Sequence, residues 1–241
     1  MCFACGGAGR FGLSDFVALK PESIHREIRN TLFGDVPLKD VVRAHPKMTL
    51  AEPWAAFQRA RDLRDAGDVE GAKREIRPVL TMPDLETRVF LQAWHTMREL
   101  GENPPADRAK EVLGIVVEVG MPKGLDIVAA YRDHRARYFN YSGAGVLWER
   151  RDESLDALID ELLTAGSVVA NAIPPWTQPK PPEPKKGNVR INLLTPSGIH
   201  LGQGPVEALN QDAMGGPILS AAFGLMKRLV ELKRETGEQR E

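Results

Sequence analysis

Apolar positions along this 241-residue chain follow two periods. Up to about residue 112 they recur three and four residues apart, as in a helix with one buried face. Ile24, Ile28 and Leu32 stand at i, i+4 and i+8 between Pro21, suited to a first helical turn, and Gly34, a stop. Leu38, Val41 and Val42 predict a second short helix after Pro37. It must close before His45-Pro46, because proline pushes its predecessor out of the α region. From about Leu50 the helical pattern is strong.

Beyond residue 112 the period drops to two. Residues 114–119 are rich in β-branched side chains, and Met121-Pro122-Lys123-Gly124 reads as a turn. Leu125, Ile127, Ala129 and Tyr131 then share one face of a second strand. Residues 135–141 and Val146-Leu147-Trp148-Glu149 continue the series as an antiparallel meander. Asp152 or Ser154 caps a helix with Leu155, Leu158, Ile159, Leu162 and Leu163 on one face; Gly166 is expected to weaken it, and the small apolar residues up to Ile173 can carry it further. Residues 173–187 hold six prolines and predict an extended, solvated polyproline-II connector. Val189, Ile191 and Leu193 alternate as a strand, Thr195 to Gly198 turns, and Ile199-His200-Leu201 returns. A short helix at 206–210 precedes a final one opened by Pro217, in which Leu219, Ala222, Phe223, Met226 and Leu229 share a face. The expected fold is α+β, with N-terminal helical hairpins followed by a small antiparallel sheet backed by helices. Three segments follow: 1–48, 49–113, and an α+β module at 114–241 that contains the Pro-rich connector 174–187.

One internal echo stands out. Leu63-Arg64-Asp65-Ala66-Gly67-Asp68 returns 34 residues later as Met97-Arg98-Glu99-Leu100-Gly101-Glu102. With Gly67 as the turn glycine, Ala60 and Leu63 fall at packing positions of one helix, and Ala72, Ile76 and Val79 on the inner face of the next. Residues 52–113 thus resemble tetratricopeptide-repeat hairpins, whose period is 34. The second copy departs from that pattern at Trp94 and at Pro104-Pro105, and Pro78 should end or kink the second helix of the first copy. The resemblance implies a protein-binding role, with Ala60, Leu63, Gly67 and Ala72 as its structural positions.

Charge and chemistry narrow the function. The 32 Lys and Arg against 33 Asp and Glu argue against a nucleic-acid binder driven by bulk charge. No run approaches the roughly 18 apolar residues of a membrane span, and the first residues lack the pattern of a signal peptide, so a cytoplasmic protein is expected. Cys2 and Cys5 sit in Cys-Phe-Ala-Cys-Gly-Gly-Ala-Gly. This resembles one zinc-binding repeat of DnaJ-type chaperones and makes the pair candidate zinc ligands, with two more needed from histidine or from a second chain. A thiol redox pair is the other reading, though no strand–helix context surrounds it. His25, His45, His95, His134 and His200 are scattered, and the Gly-rich stretches at 143–145, 202–204 and 215–216 lack a phosphate-loop ending and read as turns. Arg135, Arg137 and Phe139 on one strand face read as a half-exposed strand.

Three functions follow from these residues. The first is a non-catalytic cytoplasmic interaction or scaffold protein with a protein partner and a candidate homodimer. The second is a metal- or thiol-dependent protein using Cys2 and Cys5. The third is a small-ligand or regulatory sensor with a pocket near Tyr131, Tyr138 and Trp148.

Overall fold

The computed structural model describes residues 28–44 and 51–238. Residues 28–32 are helical and are followed by α1 (Leu38–Ala44), α2 (Trp54–Asp65) and α3 (Val69–Ile76). A 3-10 turn (Arg77–Thr81) leads to α4 (Thr87–Glu99). The sheet strands come next: β1 (Gly114–Met121), β2 (Gly124–Tyr131), β3 (Ala136–Phe139) and β4 (Gly145–Trp148). Helix α5 (Asp156–Ala172) precedes β5 (Asn188–Thr195) and β6 (Gly198–Pro205), and α6 (Val206–Gln211) and α7 (Gly215–Glu238) complete the described chain. The architecture is α+β, helices first and an antiparallel sheet after, as the change of period predicts.

All six strands form one antiparallel sheet in the order β4-β3-β2-β1-β5-β6. Alternation decides its two faces. Ile115 and Val117 of β1, Val128 and Ala130 of β2 and Ile191 and Leu193 of β5 pack against Ile159, Leu162, Leu219 and Leu225 of α5 and α7. Val116, Leu125, Ile127, Ala129, Tyr131 and Leu194 form the other face and meet Ile28, Leu32 and Phe33, with Leu91 of α4. The expected weakening at Gly166 does not occur, and α5 runs through it. A Cβ there would collide with Ile115 Cδ1 and lie 3.1 Å from Leu193 Cδ2, so the glycine lets helix and sheet approach closely.

Helix α4 is shared by two cores. Ala93, Trp94 and Met97 join Phe57, Ala60, Ala72, Ile76 and Leu38 in a helical core, while Leu91 belongs to the sheet. Gln92, buried between them, accepts from the Val36 amide at 3.0 Å and donates to the Val36 carbonyl at 2.7 Å. Asp133, after β2, accepts from the Thr87 amide at 2.9 Å at the start of α4, and Thr87 Oγ1 accepts from the Asp133 amide at 3.2 Å. Helix α4 is therefore fastened to the sheet at its start through Thr87 and along its length by the packing of Leu91.

The 34-residue echo encodes the same helix ending twice. Gly67 and Gly101 have φ of 86° and 84°. The Gly67 amide donates to Arg64 O at 2.9 Å and the Asp68 amide to Leu63 O at 2.9 Å. At the second copy Gly101 donates to Arg98 O at 3.0 Å and Glu102 to Met97 O at 2.9 Å. This is the Schellman closure, which satisfies the last carbonyls of a helix with a left-handed residue. Helices α2 and α3 form a hairpin, and α3 stops at Ile76 before Pro78. After Gly101 no second helix follows, since residues 102–113 are turns and extended chain. Pro104 and Pro105 supply no N–H there and cannot sustain a helix interior.

Candidate functional site

The sheet face toward α4 carries polar side chains where alternation would place apolar ones. Glu118 of β1 is 0% exposed and Arg190 of β5 is 1% exposed, and the β1–β5 register sets them directly opposite. The Glu118 carboxylate accepts from Arg29 Nε and Nη2, from Arg190 Nη1 at 3.4 Å and from Asn192 Nδ2 at 3.2 Å. Asn192 also donates to Val116 O at 2.9 Å. One carboxylate thus binds the helical residues 28–32, the central strand and β5. Burying a charge is tolerable only when it is paired and hydrogen-bonded, and here four donors do so.

Arg190 extends this network to the proline segment. Its Nη1 donates to Pro181 O at 3.1 Å, its Nη2 to Pro182 O, and its Nε to Gln203 Oε1 of β6 at 2.9 Å. Proline-rich backbone has carbonyls to offer and few amides, so a five-donor guanidinium suits it. The same segment is held at Trp176, whose amide donates to Ile199 O at 2.7 Å. Lys180 pairs with Asp35 at 2.6 Å and lies 3.8 Å from the centre of the Phe33 ring. Pro184 is buried, and a side chain on Gly120 would strike the Lys185 carbonyl. The segment expected as a solvated connector is a strap laid across the second face of the sheet. Proline stiffness, which favours a free spacer, equally lowers the entropy lost when the chain is pinned.

Between the β5–β6 turn, α4 and residues 33–35 lies a small niche of about 10 Å³, open at its mouth, with room for about one water molecule. Phe33, Leu91, Leu194 and Ile199 make its apolar wall, with Asp35, Arg98 and Thr195 as polar members. Arg98 Nη1 donates to Pro196 O, and Nη2 lies 3.5 Å from His95 Nδ1. Burial pulls the Arg98 and His95 pKa values down. A neutral His95 can accept from the guanidinium and so orient it.

The turn beside the niche holds a serine–histidine pair. His200, fully buried, donates from Nδ1 to Ile173 O at 2.9 Å, which leaves Nε2 to accept from Ser197 Oγ at 3.4 Å. Ser197 Oγ is 2.9 Å from Thr195 Oγ1, and its amide donates to Ala109 O at 2.9 Å. Desolvation lowers the His200 pKa, favouring the neutral ring that these bonds require. His200 Nδ1 ties the hairpin to the end of α5 and the Ser197 amide ties it to the 102–113 segment, while Ser197 Oγ bonds within the hairpin itself.

The remaining candidate residues have definite places. Ala60 and Ala72 are fully buried between α2 and α3 and Leu63 is half-buried, so these three serve packing within the hairpin, while Gly67 supplies the left-handed turn between its helices. Cys2, Cys5, His25 and His45 lie outside the described residues. Among the described residues no group of three His, Cys, Asp or Glu side chains could hold a metal ion. Tyr131 faces the α4 side of the sheet while Tyr138 and Trp148 face α5 and α7, so the three do not enclose one pocket. Tyr131 donates to Leu32 O at 2.8 Å, and burial pushes its phenol up to about 12. Arg137 pairs with Glu149 at 3.0 Å on a nearly buried side chain, and Arg135 pairs with Asp133 at 2.7 Å.

One surface departs from the usual charged exterior. Residues 157, 160, 161, 164, 168, 171 and 172 are the exposed stripe of α5. Its N-terminal half carries Asp160 and Glu161, whereas Thr164, Val168, Asn171 and Ala172 carry no charge. Val168 is 64% exposed, and Trp176, two turns' length further along the chain, is 44% exposed. No helix among the described residues is long and apolar enough to cross a membrane. No protein-family model, curated protein or solved structure matches this chain.

Proposed function

We propose that this is a non-catalytic, cytoplasmic interaction protein whose partner lies along the outer stripe of α5 and against Trp176. The observation that carries the reading is the uncharged, exposed half of that helix, which presents Val168 and Ala172 one turn apart and leads into an exposed tryptophan. Tryptophan is enriched among side chains that dominate interface energies, and helical apolar positions at i, i+4 suit a partner helix. The acidic half of the stripe specifies the partner's other end. Asp160 and Glu161 favour basic residues there, so the fitting occupant is an amphipathic helix with an apolar half and a basic half. The fastening of α5 through His200 and of Trp176 through Ile199 gives this surface a fixed shape.

The test is a photo-crosslinking residue at position 168 in the native host, with the captured peptide sequenced. A crosslinked amphipathic segment bearing basic residues, lost in a Trp176→Ala protein, is the expected result. Failure to crosslink, capture of segments without that pattern, or capture unchanged by Trp176→Ala would overturn the reading.

A further inference from the structure

Strand β6 is one edge of the sheet, and part of that edge is open. The two-residue turn at Pro196-Ser197 makes Thr195 and Gly198 a mutually bonded pair. Residues 200, 202 and 204 therefore bond to β5, while Ile199, Leu201 and Gln203 turn their N–H and C=O groups outward. The Ile199 carbonyl accepts from the Trp176 amide at 2.7 Å, which stations the strap at that end. At the other end Pro205 has no N–H and leads into α6. Between them the N–H and C=O groups of Leu201 and Gln203 have no hydrogen-bond partner among the described residues. Natural sheets defend such edges with charges, proline or a bulge, or else cover them. Residues 198–205 contain no Lys, Arg, Asp or Glu, so charge does not defend this one. Gly202 points the same way. A Cβ there would meet nothing within 4 Å, so packing within the described fold does not require the glycine. Glycine inside a strand weakens it and marks a place where another backbone comes close.

Area and connectivity select the occupant. The strap and α6 flank the open window, so a second molecule would gain far less there than the roughly 1,000 Å² of a specific interface. A segment of the same chain needs no such area, because tethering gives it an effective concentration of about millimolar. Residues 1–27 precede Ile28, and the chain enters the described fold in the row that ends at this window. Arg29 bonds Glu118, Glu118 stands opposite Arg190, and Arg190 stands opposite Gln203. A strand added outside β6 lies about 14 Å from β1, three spacings of about 4.8 Å. Residues 20–27 span up to about 26 Å when extended, enough to pass over the strap. Directly before them stands Phe16-Val17-Ala18-Leu19, an apolar run between Asp15 and Lys20-Pro21 that begins with two strand-favouring residues. We propose that residues 16–19 pair with the open edge of β6 as a seventh strand. Their backbone groups meet those of Leu201 and Gln203, and an apolar side chain lies over Gly202. This pairing is independent of the α5 surface, and either stands without the other.

The experiment is amide hydrogen exchange followed by NMR on the full chain. It compares the wild type with the double variant Val17→Pro and Ala18→Pro, which removes the segment's donor whichever alternate set of residues faces β6. The Leu201 and Gln203 amides are expected to exchange at least about tenfold faster in the variant. The Val117 amide, in the middle of the sheet, should keep its wild-type rate and so report an unchanged fold. Leu201 and Gln203 exchanging in the wild type as fast as free amides, or equally slowly in both proteins, would overturn the proposal. Protection that rises with protein concentration would assign the edge to a second molecule and overturn it as well. Should the Val117 amide also quicken, nuclear Overhauser contacts between Gly202 Hα and residues 16–19 in the wild type decide the question: their presence upholds the pairing and their absence refutes it.

Discussion

Glu118→Gln removes one negative charge and little else, which makes it the sharpest probe of how the strap and the sheet are held. In the wild type the Glu118 carboxylate faces Arg29 and Arg190, and the three side chains are 0%, 11% and 1% exposed respectively. Glutamine keeps the shape and one acceptor oxygen but leaves two guanidinium groups without a countercharge, and its own amide N–H faces their donors. Breaking a buried pair by removing one partner costs about 3–5 kcal/mol, because the remaining ion stays desolvated. Two stranded arginines place the variant at the upper half of that range. With about 2–4 °C per kcal/mol for a chain of this size, the melting temperature should fall by about 10 °C or more. Urea unfolding followed by circular dichroism measures the change, with an unaltered m-value showing that the native surface is preserved. The double variant Glu118→Gln with Arg190→Met should cost less than the sum of the two single changes, since the second removes one stranded charge. A loss below about 1 kcal/mol, the level of a solvent-exposed pair, or strict additivity would refute the ionic lock.

Other perturbations separate causes that look alike in sequence. Gly67→Ala and Gly101→Ala should each cost about 1 kcal/mol in unfolding experiments, through backbone conformation alone, since a Cβ at either meets nothing within 4 Å. Gly120→Ala should cost clearly more, because its Cβ would collide with the Lys185 carbonyl and lift the strap; equal losses at all three glycines would refute that packing. The folded-state pKa values of His95 and His200 lie below the ordinary 6.5, mainly through desolvation. As pH falls through 6.5 the unfolded chain takes up protons that the folded chain refuses, so stability should decline from neutral pH downward. Each histidine contributes a slope of at most about 1.4 kcal/mol per pH unit. His200→Asn, which retains a donor for Ile173 O, should flatten this slope, and an unchanged slope would remove His200 as its source. Gly166→Ala should destabilise by about 1–3 kcal/mol through overpacking against Ile115, a loss that the simultaneous change Ile115→Val should partly restore.

The change of hydrophobic period at residue 112 made the helices-then-sheet order legible, because period alone distinguishes a helix face from a strand face. Leu125, Ile127, Ala129 and Tyr131 do share one face, as their alternation implies. The 34-residue echo was legible too, but its physical content is narrower than a repeat. What recurs is a helix ending that requires a left-handed glycine. The hairpin that follows Gly67 depends on Asp68, which caps α3 by accepting from the Gly71 amide at 2.7 Å. After Gly101 the two prolines deny the same continuation. Helix stop signals are local in sequence, whereas a repeat needs every following element to agree.

The candidate site was less legible, for a reason that Glu118 makes concrete. In Ile115-Val116-Val117-Glu118-Val119 the glutamate looks like an outward-facing position of an exposed strand, and Arg190 between Val189 and Ile191 looks the same. Each is polar in an alternating pattern, and alternation assigns polar residues to water only when one face of the sheet is bare. Here both faces are covered, one by α5 and α7 and the other by residues 28–33, α4 and the strap. The strap in turn lies on the sheet because Arg190 holds its carbonyls, and Arg190 can be buried because Glu118 faces it across the β1–β5 register. Neither residue is interpretable without the other, and 72 positions separate them. Six prolines in fifteen residues signal stiffness, and stiffness is common to a free spacer and a pinned strap. The distinguishing signal was the pair of charges on strands whose neighbours are β-branched. A charge placed in an otherwise apolar strand either faces water or meets its counter-ion, and the second alternative brings the proline segment and Trp176 into one fixed arrangement.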